Sequence, residues 1–173
     1  MFIKDLGFDN IQVLDFNYQY NLENTNLNIS ILKSGDFRDD SGIYFSNGEF
    51  TGLLSVDANS INFDRLPKVN FYGSSFAGGA SGYPLMFDNY NHDEQLKISL
   101  KDKKFLKMNI IDKLKKISPN YFMPYAGFFT EKLKRDKRIL QNNKKNSIDD
   151  YVEFCKINKI ELFNVLKNDQ YTF

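Results

Sequence analysis

Side chains able to do chemistry are scarce in this sequence, and counting them excludes several reaction classes. There is one histidine, His92, and one cysteine, Cys155. Structural zinc takes four Cys or His ligands, and catalytic zinc typically takes three protein ligands including histidine. The chain therefore cannot complete such a site by itself. The two residues are far apart in sequence and fall in different expected elements. A surface histidine beside a helix start and a core cysteine on a helix face account for both. No G-x-S-x-G elbow supports a Ser-His-Asp triad built on His92.

Carboxylates gather instead at Asp36, Asp39, Asp40 and Asp57. Asp57 ends the second strand of an expected hairpin and is followed by Ala58-Asn59, and acidic groups at strand ends can ligate a hard metal or iron. A solvated turn explains Asp36, Asp39 and Asp40 equally well. Residues 73–84, GSSFAGGASGYP, are too rich in Gly and Ser for a helix or strand interior and form a loop after a strand. Such a loop can present backbone N–H groups to a phosphate. It matches neither G-x-G-x-x-G before a helix nor G-x-x-x-x-G-K-[ST], so an ordinary connection and a ligand loop both stay open. The basic stretch Lys132, Lys134, Arg135, Lys137, Arg138, Lys144 and Lys145 has no interleaved aromatics and reads as a solvated loop rather than a nucleic-acid surface.

The elements that must position these groups follow from periodicity. Ile11 and Val13, then Leu27, Ile29 and Ile31, alternate with polar neighbours, and Ile43 to Phe45 is a short apolar run. The first third is thus expected to be a β-meander. Asn47-Gly48, between Gly42–Ser46 and Glu49–Val56, predicts a hairpin through a type I′ turn, because Asn and Gly tolerate positive φ. Val69 to Tyr72 leads as a strand into the Gly-Ser loop. From Asn91 to Ser118 the period changes: Leu96 and Leu100, followed by Leu106, Ile110, Leu114 and Ile117, recur within each group at three or four residues, with lysines opposite. Asp93 and Glu94 at the start, and Lys115 and Lys116 at the end, suit a helix dipole. Pro119 stops this helix, and residues 120–129 (NYFMPYAGFF) return to strand composition with a bend or sheet edge at the proline and glycine. Residues 131–145 read as a surface excursion. Ser147 and Asp150 resemble a capping pair before a short helix to Lys156, and Ile160 to Leu166 forms a last strand.

Length and composition bound the rest. A chain of 173 residues is the size of one domain and buries roughly two thirds of its unfolded surface. Seventeen Phe and ten Tyr, without Trp, supply a core. A formal net charge of +1 gives no overall field to attract nucleic acid or an anionic membrane. One cysteine suits a reducing cytoplasm. The first ten residues carry Asp5 and Asp9 and no apolar run of signal-peptide length, and nothing approaches the roughly 18 apolar residues that span a bilayer.

Taken in order, Ser75-Phe-Ala-Gly-Gly-Ala-Ser-Gly-Tyr-Pro-Leu-Met-Phe87, the long basic helix, and Pro119-Asn-Tyr-Phe-Met-Pro-Tyr-Ala-Gly-Phe-Phe129 resemble the C-terminal half of the CMP-N-acetylneuraminate hydroxylase family. Asp39-Asp-Ser-Gly-Ile-Tyr-Phe, the hairpin and Leu54-Ser-Val-Asp57 are similar to it less distinctively. The resemblance covers about residues 10 to 166. It implies a metallo-β-lactamase-like αββα sandwich, of which residues 1–173 would form mainly the C-terminal half as one domain: β-meander, then strand-helix-strand-helix. It also implies a metal ligand at Asp57, where the fold's bridging carboxylate occurs, and a substrate loop with Gly78, Gly79, Ser81 and Tyr83. No H-x-H-x-D-H motif and no C-x-H…C-x-x-H cluster motif is present. Any iron or zinc would need a partner's ligands.

Two function classes follow. One is an enzyme part that completes a metal-dependent oxygenase or hydrolase acting on a sugar nucleotide or other small anionic substrate. The other is a non-catalytic module that keeps the fold for binding. In either, the sheet face that the other half of a sandwich would cover is apolar and exposed. This predicts a homodimer or a complex with an N-terminal-half protein, and no nucleic-acid or membrane partner.

Overall fold

The computed structural model describes residues 2–78, 82–127, 133–142 and 144–167. A short helix α1 (Phe2–Asp5) is followed by strands β1 (Gln19–Asn21), β2 (Asn28–Lys33), β3 (Ser41–Ser46), β4 (Thr51–Ser55) and β5 (Phe71–Ser75). Then come helix α2 (His92–Ile117), β6 (Tyr121–Ala126), α3 (Lys137–Asn142), α4 (Val152–Ile157) and β7 (Glu161–Leu162). All strands belong to one sheet in chain order, β1-β2-β3-β4-β5-β6-β7. The β1–β4 ladders are antiparallel, and β4 to β7 pair in parallel. A mixed α/β chain was expected, and the strand-helix-strand passage from β5 through α2 to β6 is the long crossover that parallel neighbours require.

One face of the sheet carries the row Tyr44, Leu53, Tyr72, Phe122 and Leu162 in register. Against it pack Ile110 and Leu114 of α2, Ile148, Tyr151 and Cys155. Tyr72 stacks on Phe122 with centroids 5.9 Å apart, and Tyr151 meets Phe122 edge-on at 5.8 Å. Each such pair contributes about 0.5–1.5 kcal/mol beyond the area it buries. The buried Tyr72 hydroxyl is satisfied by Ser55 Oγ at 3.1 Å, and that of Tyr151 donates to the Phe76 carbonyl at 3.2 Å.

The opposite face presents two apolar rows, Ile29-Phe45-Gly52-Phe71-Tyr121 and Ile31-Ile43-Leu54-Gly73-Met123. Apart from Phe71, Gly52 and Gly73, these residues are only partly buried, and Ile43 is 41 % exposed. Phe163, 3 % exposed, covers the β5–β6 end of this face through the rings of Phe71 and Tyr121, at centroid distances of 6.1 and 5.6 Å, while the β2–β4 end stays partly open.

Several local expectations are corrected. Ile11 and Val13 lie in no strand, and Val13 is 78 % exposed; the alternation there is too short to build a buried face. The 47–48 hairpin forms, but positive φ falls on Gly48 alone (94°), so the turn is not type I′. Asn47 instead accepts the Glu49 and Phe50 N–H groups on Oδ1, at 3.1 and 2.7 Å. The Ile160–Leu166 strand shrinks to Glu161–Leu162, because Asn164 Oδ1 accepts the Leu166 N–H at 3.0 Å and turns the chain.

In α2 the second half buries Ile110 and Leu114 as its period requires, whereas Leu100 is 49 % exposed and Gln95 and Ser99 are buried in its place. Gln95 Nε2 donates to the Phe87 carbonyl at 3.1 Å, and its Oε1 accepts from Arg138 at 3.3 Å. Asn91 and Glu94 close a reciprocal capping box at 3.0 and 2.8 Å. The 131–145 excursion is not plain loop, since it contains α3. The Ser147–Asp150 pair is a capping box, as its residue types suggested. Tyr125 is the extra residue of a bulge in β6, which bends the strand beside Pro124. Among the described residues no helix is long and apolar enough to cross a membrane.

Candidate functional site

The C-terminal ends of the parallel strands β4, β5 and β6 converge, which is where open α/β sheets place their ligands. Hydrogen bonds between the loops fix them. Ser75 Oγ donates to the Val56 carbonyl at 2.6 Å, and the Phe76 N–H to the Ala126 carbonyl at 3.1 Å. Asp57, the candidate metal ligand, leaves β4 at this edge with an exposed side chain. Its carbonyl accepts from Arg38 Nη2 at 2.9 Å and from Asn59 Nδ2 at 3.1 Å, so the turn is pinned while the carboxylate makes no hydrogen bond among the described residues. Tyr125 faces it closely enough that, after burial, the Asp57 charge is the second cause raising the phenol's pKa.

The remaining carboxylates do not join Asp57. Arg38 takes Asp36 at 3.0 Å and Asp40 at 3.2 Å, and its bond holds the Asp36 carboxyl below its ordinary pKa. Asp39 points away to Lys33 at 3.3 Å. The cation in this cluster is an internal guanidinium, which corrects the metal-ligand option for Asp36, Asp39 and Asp40. Among the described residues no three His, Cys, Asp or Glu side chains converge. A lone exposed carboxylate does not fit a metal, so no metal chemistry is derived from these residues alone. His92 is exposed at the first turn of α2. Cys155 is buried in the core, and burial pushes its thiol up to about 11.

Of the expected substrate residues, Gly78 and Tyr83 are described; Gly79 and Ser81 lie outside the described residues. Gly78 holds φ at +83°, and a Cβ there would strike Leu106 Cδ1. Tyr83 packs edge-on against Phe87 at 5.4 Å, and its hydrogen bond with Tyr90 raises its phenol pKa. Gly78 and Tyr83 line a cleft of about 220 Å³ with Asp102 and Phe105 of α2 and with Lys144 and Lys145. Lys145 Nζ donates to the Gly78 carbonyl at 3.3 Å, and partial burial lowers its pKa. From the sequence alone, Lys144 and Lys145 read as part of a solvated loop. The contact of Lys145 with Gly78 spans 67 positions, and no local pattern signals it.

No family model matches the chain. The chain is 33% identical over 146 residues to the cytidine monophosphate-N-acetylneuraminic acid hydroxylase of Mus musculus, covering 82% of this chain and 25% of that protein. It is 36% identical over 110 residues to the Pongo pygmaeus hydroxylase (61% and 19%) and 38% identical over 98 residues to that of Danio rerio (55% and 17%). The chain is a partial relative of the CMP-N-acetylneuraminic acid hydroxylases. The resemblance to that family is therefore borne out.

This hydroxylase relative spans 17% to 25% of the length of those proteins. Its structure is similar to that of a CmlA beta-hydroxylase E377D mutant, with a TM-score of 0.54 and 13% identity over 92% of this chain and 33% of the other. At that identity the likeness is one of fold. For the hydroxylase relative, what the geometry adds is a shared edge. One strand end supplies a carboxylate, and the next supplies the loop leading to a lysine-rimmed cleft.

Proposed function

We propose that the chain is one part of a metallo-β-lactamase-like monooxygenase acting on a sugar nucleotide, with its metal site completed by residues from outside this segment. The observation that carries this is the position of Asp57: an exposed carboxylate at the C-terminal edge of a sheet whose strands β2 to β4 leave an apolar face partly open. An N-terminal-half segment or protein covering that face would bring its ligands to Asp57, and a second copy of the chain is the other candidate to cover it. Asp57 contributes one ligand to iron or zinc. Gly78, Gly79, Ser81 and Tyr83 shape the substrate pocket, and the cleft lysines favour a small anionic substrate. A reducing cytoplasm is the proposed location, since the single cysteine is buried and unpaired.

A second reading, a non-catalytic binding module, is favoured by Arg38 neutralising Asp36 and Asp40, so that among the described residues only the Asp57 carboxylate at this edge makes no hydrogen bond or ion pair.

The test is metal content by mass spectrometry on protein isolated with its natural companions, alongside mass in solution by light scattering. Stoichiometric iron or zinc in a complex, lost in Asp57→Asn while the complex survives, supports the enzyme part. A metal-free assembly, or one whose metal ignores Asp57→Asn, supports the module.

A further inference from the structure

Among the described residues, Lys113 has no counter-charge. It lies on the buried face of α2, 5 % exposed, and its ammonium donates to Asn59 Oδ1 at 3.1 Å. Among the described residues no ion pair reaches it; its chain neighbour Asp112 pairs with Lys115 at 3.8 Å. Burial lowers its pKa, and no nearby charge opposes the shift. One amide oxygen satisfies one of three N–H donors. A buried ammonium is costly unless it is both hydrogen-bonded and paired, and replacing such a charge by an apolar side chain of similar volume is often neutral or stabilising.

The same side chain lines a cavity of about 250 Å³ beneath the turn at residues 59–63. Ser60, Phe63, Asn109 and Lys116 share its wall with Asn59 and Lys113. Lys116, one helical turn beyond Lys113, is exposed and lines the same space, so two lysines border it. Asn109 and Ser60 add polar atoms able to donate. Asp112 also lines the wall, but its side chain is 65% exposed and engaged with Lys115. A volume below the roughly 300–1,000 Å³ of pockets for drug-sized ligands admits a small group and little more. Two positive charges exceed what one carboxylate neutralises, which favours a phosphate, for which lysine acts as a point charge.

We propose that this cavity is an oxyanion site in which Lys113 and Lys116 hold the phosphate group of a small molecule. The site is independent of metal binding at Asp57 but touches the same turn. Asn59 accepts from Lys113 on Oδ1 and donates to the Asp57 carbonyl from Nδ2 at 3.1 Å. An anion on Lys113 therefore orders the residues that present Asp57.

Thermal unfolding of the full chain, titrated with inorganic phosphate at constant ionic strength and with acetate as control, tests the proposal. Wild type is expected to gain Tm saturably with phosphate and not with acetate, since a ligand that binds only the folded state stabilises it by mass action. Lys113→Met should equal or exceed wild type without phosphate and lose the response. Lys116→Met should weaken the apparent affinity about tenfold. Should Lys113→Met fail to fold, the ¹⁵N signal of the Lys113 ammonium in wild type supplies the same answer by shifting with phosphate. An absent response, an equal response to acetate, or a phosphate response that survives in Lys113→Met overturns it.

Discussion

Replacing Gly78 by alanine tests the loop that walls the cleft. Its φ of +83° strains any L side chain, and an alanine Cβ would run into Leu106 Cδ1. Left-handed backbone costs about 1–2 kcal/mol for a non-glycine residue. Displacing the tip of Leu106 from its rotamer adds about 0.5–1.5 kcal/mol. The sum is about 1.5–3.5 kcal/mol, and at roughly 2–4 °C per kcal/mol for a chain of this size Tm should fall by about 3–14 °C. Gly48→Ala is the control, because Gly48 also has positive φ (94°) but nothing within 4 Å of the added Cβ. It should lose only the strain, about 1–2 kcal/mol. The two parts separate in a double-mutant cycle measured by urea unfolding. Leu106→Ala, which removes the obstructing methyl, should recover about 0.5–1.5 kcal/mol of the Gly78→Ala loss and none of the Gly48→Ala loss. The reasoning fails if Gly78→Ala costs no more than Gly48→Ala, or if the coupling with Leu106 is zero.

Three other outcomes are expected. Tyr151→Phe removes the buried hydroxyl that donates to the Phe76 carbonyl at 3.2 Å, and should cost about 1 kcal/mol in urea unfolding while the ring keeps its place. Burial alone would raise the pKa of Asp150, but the Ser147 backbone N–H and then the Lys103 ammonium outweigh it and hold the carboxyl below its ordinary value. A depressed folded pKa means that this stabilisation is present above the unfolded value of about 3.9 and lost as pH falls through the folded one. Urea midpoints should therefore drop on acidification, and less steeply in Asp150→Asn. Cys155, its thiol pushed up to about 11 by burial, should react with a disulfide reagent at neutral pH only as the chain unfolds; rapid labelling of the native protein would contradict its placement in the core.

Local chemistry was legible wherever neighbours in sequence decide the structure. The 92–117 helix could be read from its period and its stop at Pro119, the Ser147–Asp150 cap from residue types, and the bend in β6 from Pro124 and Gly127. Errors arose where tertiary contacts override the pattern. Leu96 and Leu100 share the helical period, yet Gln95 and Ser99 occupy the buried face because the Phe87 carbonyl and Arg138, 8 and 43 positions away, give Gln95 its partners. A polar side chain with its bonds made can be buried as well as a leucine, and a hydropathy pattern does not register this.

The candidate site divides along the same line. Asp57 and the Gly78 loop are marked by residue type at a strand end, and they do stand at one sheet edge. What controls their surroundings is Arg38, Asn59, Lys113 and Lys145, four residues without a motif, brought in across 19, 2, 54 and 67 positions respectively. Arg38 shows how far composition misleads. Asp36, Asp39 and Asp40 on one turn suggest a cation site, and the chain supplies the cations itself, Arg38 to Asp36 and Asp40 and Lys33 to Asp39. Lys113 is the reverse case, a cation for which the described chain supplies no anion. Arg38 and Lys113 both reach the Asp57 turn, one directly and one through Asn59. The turn is thus held by two positive groups, of which Lys113 has no counter-charge among the described residues, and changes at that lysine should alter the order of residues 57–60 before they alter the sheet.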